Sequence, residues 1–284
     1  MRHDEGWTAA ADGTRLYWQR HVPDDKPRAE LLFVHGLAEH SGRYSHVMRY
    51  FAQEGFDCWT LDYRGHGKSP GLRVHVNRFD EFLLDIAAAH RLVRAEQTRL
   101  PLYLVGHSQG GLLVLRHVLT QPDGVESIDG IIVSSPFLGM HPDAAPSAPL
   151  HVVANIVSTF SPKLMFSKVA EPSFLSRNPQ VAEAYVNDPL VSNTVSARWF
   201  TEVLRAQADT LKRAPNLALP ALVMQSGDDR LADPAATRAW VAAAPAELVD
   251  YVEWDGLYHE MFNEPEKEQV FEKMEEWLAK RLTA

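Results

Sequence analysis

From residue 31 to residue 133 the chain alternates two patterns of apolar positions. Short apolar runs at 31–34, 58–61, 102–105 and 131–133 each end in small or polar residues. Between them lie longer segments with apolar residues at helical spacing, which predict helices over about 43–53, 79–96 and 109–120. Apolar runs too short for buried helices, separated by amphipathic segments, are the signature of stacked βα units on a parallel sheet. After Gly139 the pattern changes. His141-Pro142-Asp143-Ala144-Ala145-Pro146-Ser147-Ala148-Pro149 reads as a linker, and the stretch to about Ala214 carries no central strand. Strand-like runs return at 221–225 and 248–253, and 265–282 closes the chain as an amphipathic helix. The expectation is an α/β fold: a mostly parallel, doubly wound sheet from residues 1–140 and 215–284, interrupted by a helical cap over 141–214.

Composition narrows the partners. The chain has 284 residues, 45% of them hydrophobic and 23% charged, enough for one large domain with a substantial core. Lys and Arg number 28 against 37 Asp and Glu, a formal charge of −9, which argues against an extended phosphate-binding surface and so against nucleic acid. Cys58 is the single cysteine, so no internal disulfide is possible. Met1-Arg2-His3-Asp4-Glu5 lacks the apolar stretch of a secretory signal, and a reducing, cytoplasmic setting is expected. No run approaches the ~20 apolar residues that span a bilayer, so membrane contact is expected to be peripheral at most.

Gly106-His107-Ser108-Gln109-Gly110 fits G-x-S-x-G, the sharp strand-to-helix turn that exposes a nucleophilic serine and aims the following N–H at an oxyanion. Gly67-Lys68-Ser69-Pro70-Gly71 fits the same string, but Pro70 has no N–H to donate and no helical pattern follows. Ser69 is therefore a turn residue, whereas Ser108 has the strand before it and the helix after it. A serine hydroxyl needs a base. In doubly wound hydrolases the order along the chain is serine, acid, histidine, and His259, in the loop after the run at 248–253, is the histidine placed to reach the sheet's edge. His117, within the helix after Ser108, is read as structural. For the acid, Asp228 and Asp229 both follow the run at 221–225. Asp229 is preferred and Asp228 stays open, while Asp233, before Pro234, reads as a helix N-cap. A second oxyanion donor must come from the loop after an early strand, and Val34-His35-Gly36-Leu37 supplies the Leu37 amide beside that of Gln109, with His35 holding the loop.

These residues resemble the α/β-hydrolases of the monoacylglycerol lipase and lysophospholipase group. The resemblance rests on His35-Gly36-Leu37-Ala38-Glu39-His40-Ser41-Gly42-Arg43-Tyr44 and on Asp62-Tyr63-Arg64-Gly65-His66-Gly67-Lys68-Ser69, continuing through Gly71, Arg73 and Phe79 to Asp85. The serine turn, Pro136, Asp188-Pro189-Leu190 and Gly227-Asp228-Asp229-Arg230-Leu231 extend it over most of the chain. It implies a triad of Ser108, Asp229 and His259, oxyanion donors at Leu37 and Gln109, and hydrolysis of monoacylglycerols or lysophospholipids through an acyl-enzyme. It makes Gly67 to Gly71 a structural loop of the family. Some members carry a cysteine between the acid and the next aspartate. Ala232 stands there in this chain, so sensitivity to thiol reagents is not expected.

The cap run from Leu150 to Val157, with Phe160, Leu164, Met165 and Phe166, is apolar enough to line an acyl channel or meet a lipid interface. Ile156 and Phe160 are expected to contact the acyl chain, and Glu39, His40 and His75 a glycerol-like head group. No cofactor or metal is expected, since His35 and His40 sit five apart on a loop, no H-E-x-x-H or cysteine pair occurs, and no G-x-G-x-x-G follows the first strand. Two alternatives share the scaffold: a short-chain carboxylesterase or small-peptide hydrolase using the same triad, and a binding protein that has lost turnover.

Overall fold

The computed structural model describes residues 1–96, 99–120, 127–144, 148–167 and 170–283, excluding the side chains of 148–152. The sheet has eight strands: β1 (Arg2–Ala9), β2 (Arg15–Val22), β3 (Ala29–Val34), β4 (Phe56–Asp62), β5 (Leu102–His107), β6 (Gly130–Ser134), and β9 (Ala221–Ser226) and β10 (Val249–Trp254) beyond a small pair, β7 (Met165–Ser167) and β8 (Thr194–Ser196). Their order is β1-β2-β4-β3-β5-β6-β9-β10. From β4 to β10 every pairing is parallel, while β1 and β2 run antiparallel at one edge. The fold is therefore α/β with a mostly parallel sheet, and its six predicted runs fall on strands of that parallel part, the last beginning one residue before β10. The pair β1 and β2 was not anticipated. Most residues of β1 are solvent-exposed and offer no apolar alternation to read.

Helices cover both faces, and the strands divide their side chains between them with period two. Leu32, Val34, Leu102 and Leu104 face one core with α2 (Glu81–Ala95), α3 (Gln109–Thr120) and Trp240 of α7 (Pro234–Ala243). Leu31, Phe33, Tyr103 and Val105 face the other, with Phe51 of α1 (Ser45–Gln53) and Phe271 and Trp277 of α8 (Lys267–Leu282).

Between β6 and β9 lie α4 (Ala148–Phe160), α5 (Pro179–Asn187) and α6 (Ala197–Arg213), with β7 and β8 forming a separate antiparallel ribbon. Part of the expected linker, 145–147, lies outside the described residues. Helix α4 starts inside that linker at Ala148, because a proline is tolerated in a first helical turn, where an N–H lacks a partner in any case. Among the described residues no helix is long and apolar enough to cross a bilayer. The parallel strands deliver the loops after β3, β5, β9 and β10 to one edge of the sheet, where ligands of such folds gather.

Candidate active site

Ser108 occupies the turn between β5 and α3 with φ of 51°, a conformation rarely adopted outside glycine and held here by the backbone around it. Its amide donates to the Ser134 carbonyl at 3.0 Å, and its own carbonyl accepts from Phe137 at 2.9 Å and Leu112 at 3.1 Å. The motif's glycines are steric requirements. A Cβ on Gly110 would lie 2.0 Å from the Val34 carbonyl oxygen, and one on Gly106 2.4 Å from that of Gly110. Ser69 is fully buried, where it receives the Tyr17 amide at 2.9 Å and donates to the Asp62 carbonyl, so the second serine string pins a loop.

His259 Nδ1 lies 2.7 Å from Asp229 Oδ2, and both side chains are buried. The other carboxylate oxygen accepts from the amides of Leu231 and Ala232, each at 2.9 Å, which fixes the carboxylate and directs Oδ2 at the ring. Gln225 Nε2 approaches Oδ2 at 3.4 Å, held by the Thr237 hydroxyl at 2.7 Å. Burial pulls the His259 pKa down, but the adjacent Asp229 charge outweighs it and the net displacement is upward from 6.5. Asp228 is exposed, so the alternative acid points to solvent, and Asp233 caps α7 by accepting from Ala235. His107 packs its ring 4.8 Å from that of His259, and burial pushes its pKa down to about 4, which keeps a second positive charge away.

The loop after β3 is gripped at Gly36 from both sides. The Gly36 amide donates to Glu39 Oε1 at 2.6 Å, and its carbonyl accepts the Tyr63 hydroxyl at 2.6 Å and lies 2.8 Å from His35 Nδ1. A peptide is planar and trans, so holding the Gly36 carbonyl aims the Leu37 N–H the opposite way. Among the described residues neither the Leu37 nor the Gln109 amide has an acceptor. Burial would raise the Glu39 pKa, but neighbouring Arg43 holds it well below the usual carboxylate range. Arg43 also forms two hydrogen bonds of 2.7 Å to Glu260, the residue after His259, tying the oxyanion loop to the histidine loop.

Ser108, His259, Leu37, His107 and Glu39 line one cavity of about 440 Å³, whose remaining wall is largely apolar: Val153, Ala154, Val157, Leu164, Phe166 and Phe200 from the insertion. That size suits a small organic ligand.

The family described as serine aminopeptidase, S33, matches residues 25–266. The chain belongs to this family of serine α/β-hydrolases. The hydrolase is 32% identical over 275 residues to the monoacylglycerol lipase of Mycolicibacterium smegmatis, covering 96% of each chain. It is 34% identical to phospholipase YtpA of Bacillus subtilis, over 87% of this chain and 93% of that one. The crystal structure of Paleococcus ferrophilus monoacylglycerol lipase superposes with a TM-score of 0.83 at 31% identity, covering 94% of this chain and 99% of the other.

The structure sets four of the hydrolase's expected substrate contacts off the cavity wall. Ile156 and Phe160 are 55% and 83% exposed on the outer side of α4, while Ala154 and Val157 of the same helix line the cavity. His40 and His75 also lie off the cavity wall. His40 Nε2 is 2.9 Å from Asp188 Oδ2 and His75 Nδ1 2.9 Å from Ser196 Oγ, so one ring nitrogen of each is engaged by the insertion. Glu39 does line the cavity, but three of its neighbours already hold its oxygens: Gly36, Tyr44 and Arg43. Sequence reasoning passed over Tyr63, His107, Trp199 and Glu260. The only available signal for Tyr63 was its place in the Asp62 to Ser69 block.

Proposed function

We propose that this hydrolase cleaves carboxylic esters of single-chain lipids, monoacylglycerols or lysophospholipids, through an acyl-enzyme on Ser108. The observation that carries the reading is the 2.7 Å Asp229–His259 contact beside a serine that opens into the same apolar cavity. Ser108 Oγ attacks the ester carbonyl carbon while His259 Nε2 takes the hydroxyl proton, and Asp229 stabilises the charged ring. The carbonyl oxygen becomes an oxyanion that receives the Leu37 and Gln109 amides. Collapse breaks the bond to the alcohol, which leaves with the proton from His259. Water then attacks the acyl-enzyme, gives a proton to His259, and releases the fatty acid as the proton returns to Ser108.

In this reading residues 141–214 act as a cap whose inner wall holds the acyl chain. The exposed outer residues Ile156 and Phe160 would meet a lipid surface peripherally. The names of the relatives support the substrate class. The test is hydrolysis of a panel of acylglycerols and lysophospholipids by wild type and Ser108→Ala. A rate rising with acyl length and abolished in Ser108→Ala is expected, and a maximum at acetyl or propionyl esters would overturn the lipid reading.

A further inference from the structure

A chain of buried hydrogen bonds runs from the cap to the oxyanion loop. The Trp199 Nε1–H donates to Gln109 Oε1 at 2.7 Å, Gln109 Nε2 donates to the Tyr63 hydroxyl at 3.0 Å, and that hydroxyl donates to the Gly36 carbonyl at 2.6 Å. Gln109 and Tyr63 are fully buried and Trp199 nearly so. The direction of the chain is set at its cap end. An indole N–H can only donate, so it fixes the Gln109 amide with its oxygen toward Trp199 and its NH2 toward Tyr63. A phenol that accepts from that NH2 turns its own proton to Gly36. Turning the amide over would set its NH2 against the indole N–H.

We infer that Trp199, Gln109 and Tyr63 form a relay by which the cap presets the oxyanion hole, with Trp199 and Tyr63 as positioning residues and the Gln109 side chain as the link between the two donors. The inference rests on the oxyanion assignment proposed above. Gln109 offers one donor through its backbone, and its side chain steadies the Tyr63 hydroxyl that orients the other, the Leu37 N–H. The cap end is itself fixed to the core. Ser196 caps α6, accepting the Trp199 amide at 3.1 Å, and its own amide donates to the Val74 carbonyl at 3.1 Å. A cap displaced from this seat withdraws the indole and frees the Gln109 amide, so turnover and cap closure are coupled.

The test compares Trp199→Phe, Tyr63→Phe and the double variant on a soluble p-nitrophenyl ester, with inhibition by a trifluoromethyl ketone, which forms an oxyanion in the site. Removing an oxyanion donor outright costs about 10²–10³ in kcat, so loss of its orientation is expected to cost about tenfold for Tyr63→Phe and about threefold for Trp199→Phe. Ketone affinity falls by the same factors. The double variant is expected near tenfold, not the roughly thirtyfold of independent effects. Trp199 also lines the cavity, and a purely packing role would raise KM, leave kcat and ketone affinity unchanged, and overturn the relay; so would additive losses. Ser108→Ala runs alongside. Hydrolysis retained in Ser108→Ala overturns the underlying reading, whereas a dead Ser108→Ala with wild-type kcat in Trp199→Phe overturns the relay alone. Where Tyr63→Phe does not fold, Trp199→Phe decides by the same kcat and ketone readouts.

Discussion

Replacing Asp229 with asparagine tests the acid's role at nearly constant shape. Asp229 Oδ1 accepts two backbone amides at 2.9 Å and Oδ2 faces His259 Nδ1 at 2.7 Å. An asparagine keeps the two amide bonds only by placing its oxygen at the Oδ1 position, which presents its NH2 to the histidine. The ring must then accept at Nδ1 and carry its proton on Nε2, the wrong tautomer for taking a proton from Ser108. Turning the amide over restores the tautomer but breaks both backbone bonds, at about 1–1.5 kcal/mol each, leaving the productive form near 1%. The charge that stabilised the imidazolium is also gone, for a further factor of about 10–100. Steady-state hydrolysis of a soluble ester is therefore expected to lose about 10³–10⁴ in kcat with KM nearly unchanged. A loss below about tenfold would refute the reasoning, since neither tautomer control nor charge would then matter.

Wild-type activity is expected to fall on the acid side with a midpoint above 6.5, because His259 must be neutral to act as base and its pKa lies above that value. A pH–rate profile with its acid limb below pH 6 would contradict the Asp229–His259 pairing. Gly110→Ala places a methyl 2.0 Å from a backbone oxygen and is expected to cost about 3 kcal/mol or more in denaturant unfolding. Gly13→Ala meets nothing within 4 Å, so its positive φ of 84° is expected to cost only about 1 kcal/mol. Cys58 is fully buried and burial raises its thiol pKa well above the usual value, so N-ethylmaleimide should leave the native enzyme active, and inactivation would show that β4 opens.

What the sequence disclosed follows from where its signal was strong. Strands buried on both faces appear as apolar runs, so β3 to β6 and β9 were legible, and half-buried β10 showed through Val249, Tyr251 and Val252, whereas exposed β1 was not. Ser108, Asp229 and His259 were legible because each follows a readable strand, and parallel strands end at one edge. The inner and outer sides of α4 were not. That helix carries one narrow polar stripe, His151, Asn155 and Thr159, and the flanking Ile156 and Phe160 are as apolar as the cavity-lining Ala154 and Val157. Trp199, Gln109 and Tyr63 meet across separations of 90 and 46 residues, and hydrogen bonds at such range leave no periodic trace.

The most direct test of the account is labelling with a fluorophosphonate followed by peptide mapping, in wild type, Ser108→Ala and His259→Ala. The account predicts a single phosphonylated residue, Ser108, with labelling lost in Ser108→Ala and sharply slowed in His259→Ala. An adduct at Ser69 or elsewhere, or undiminished labelling of Ser108→Ala, would contradict it.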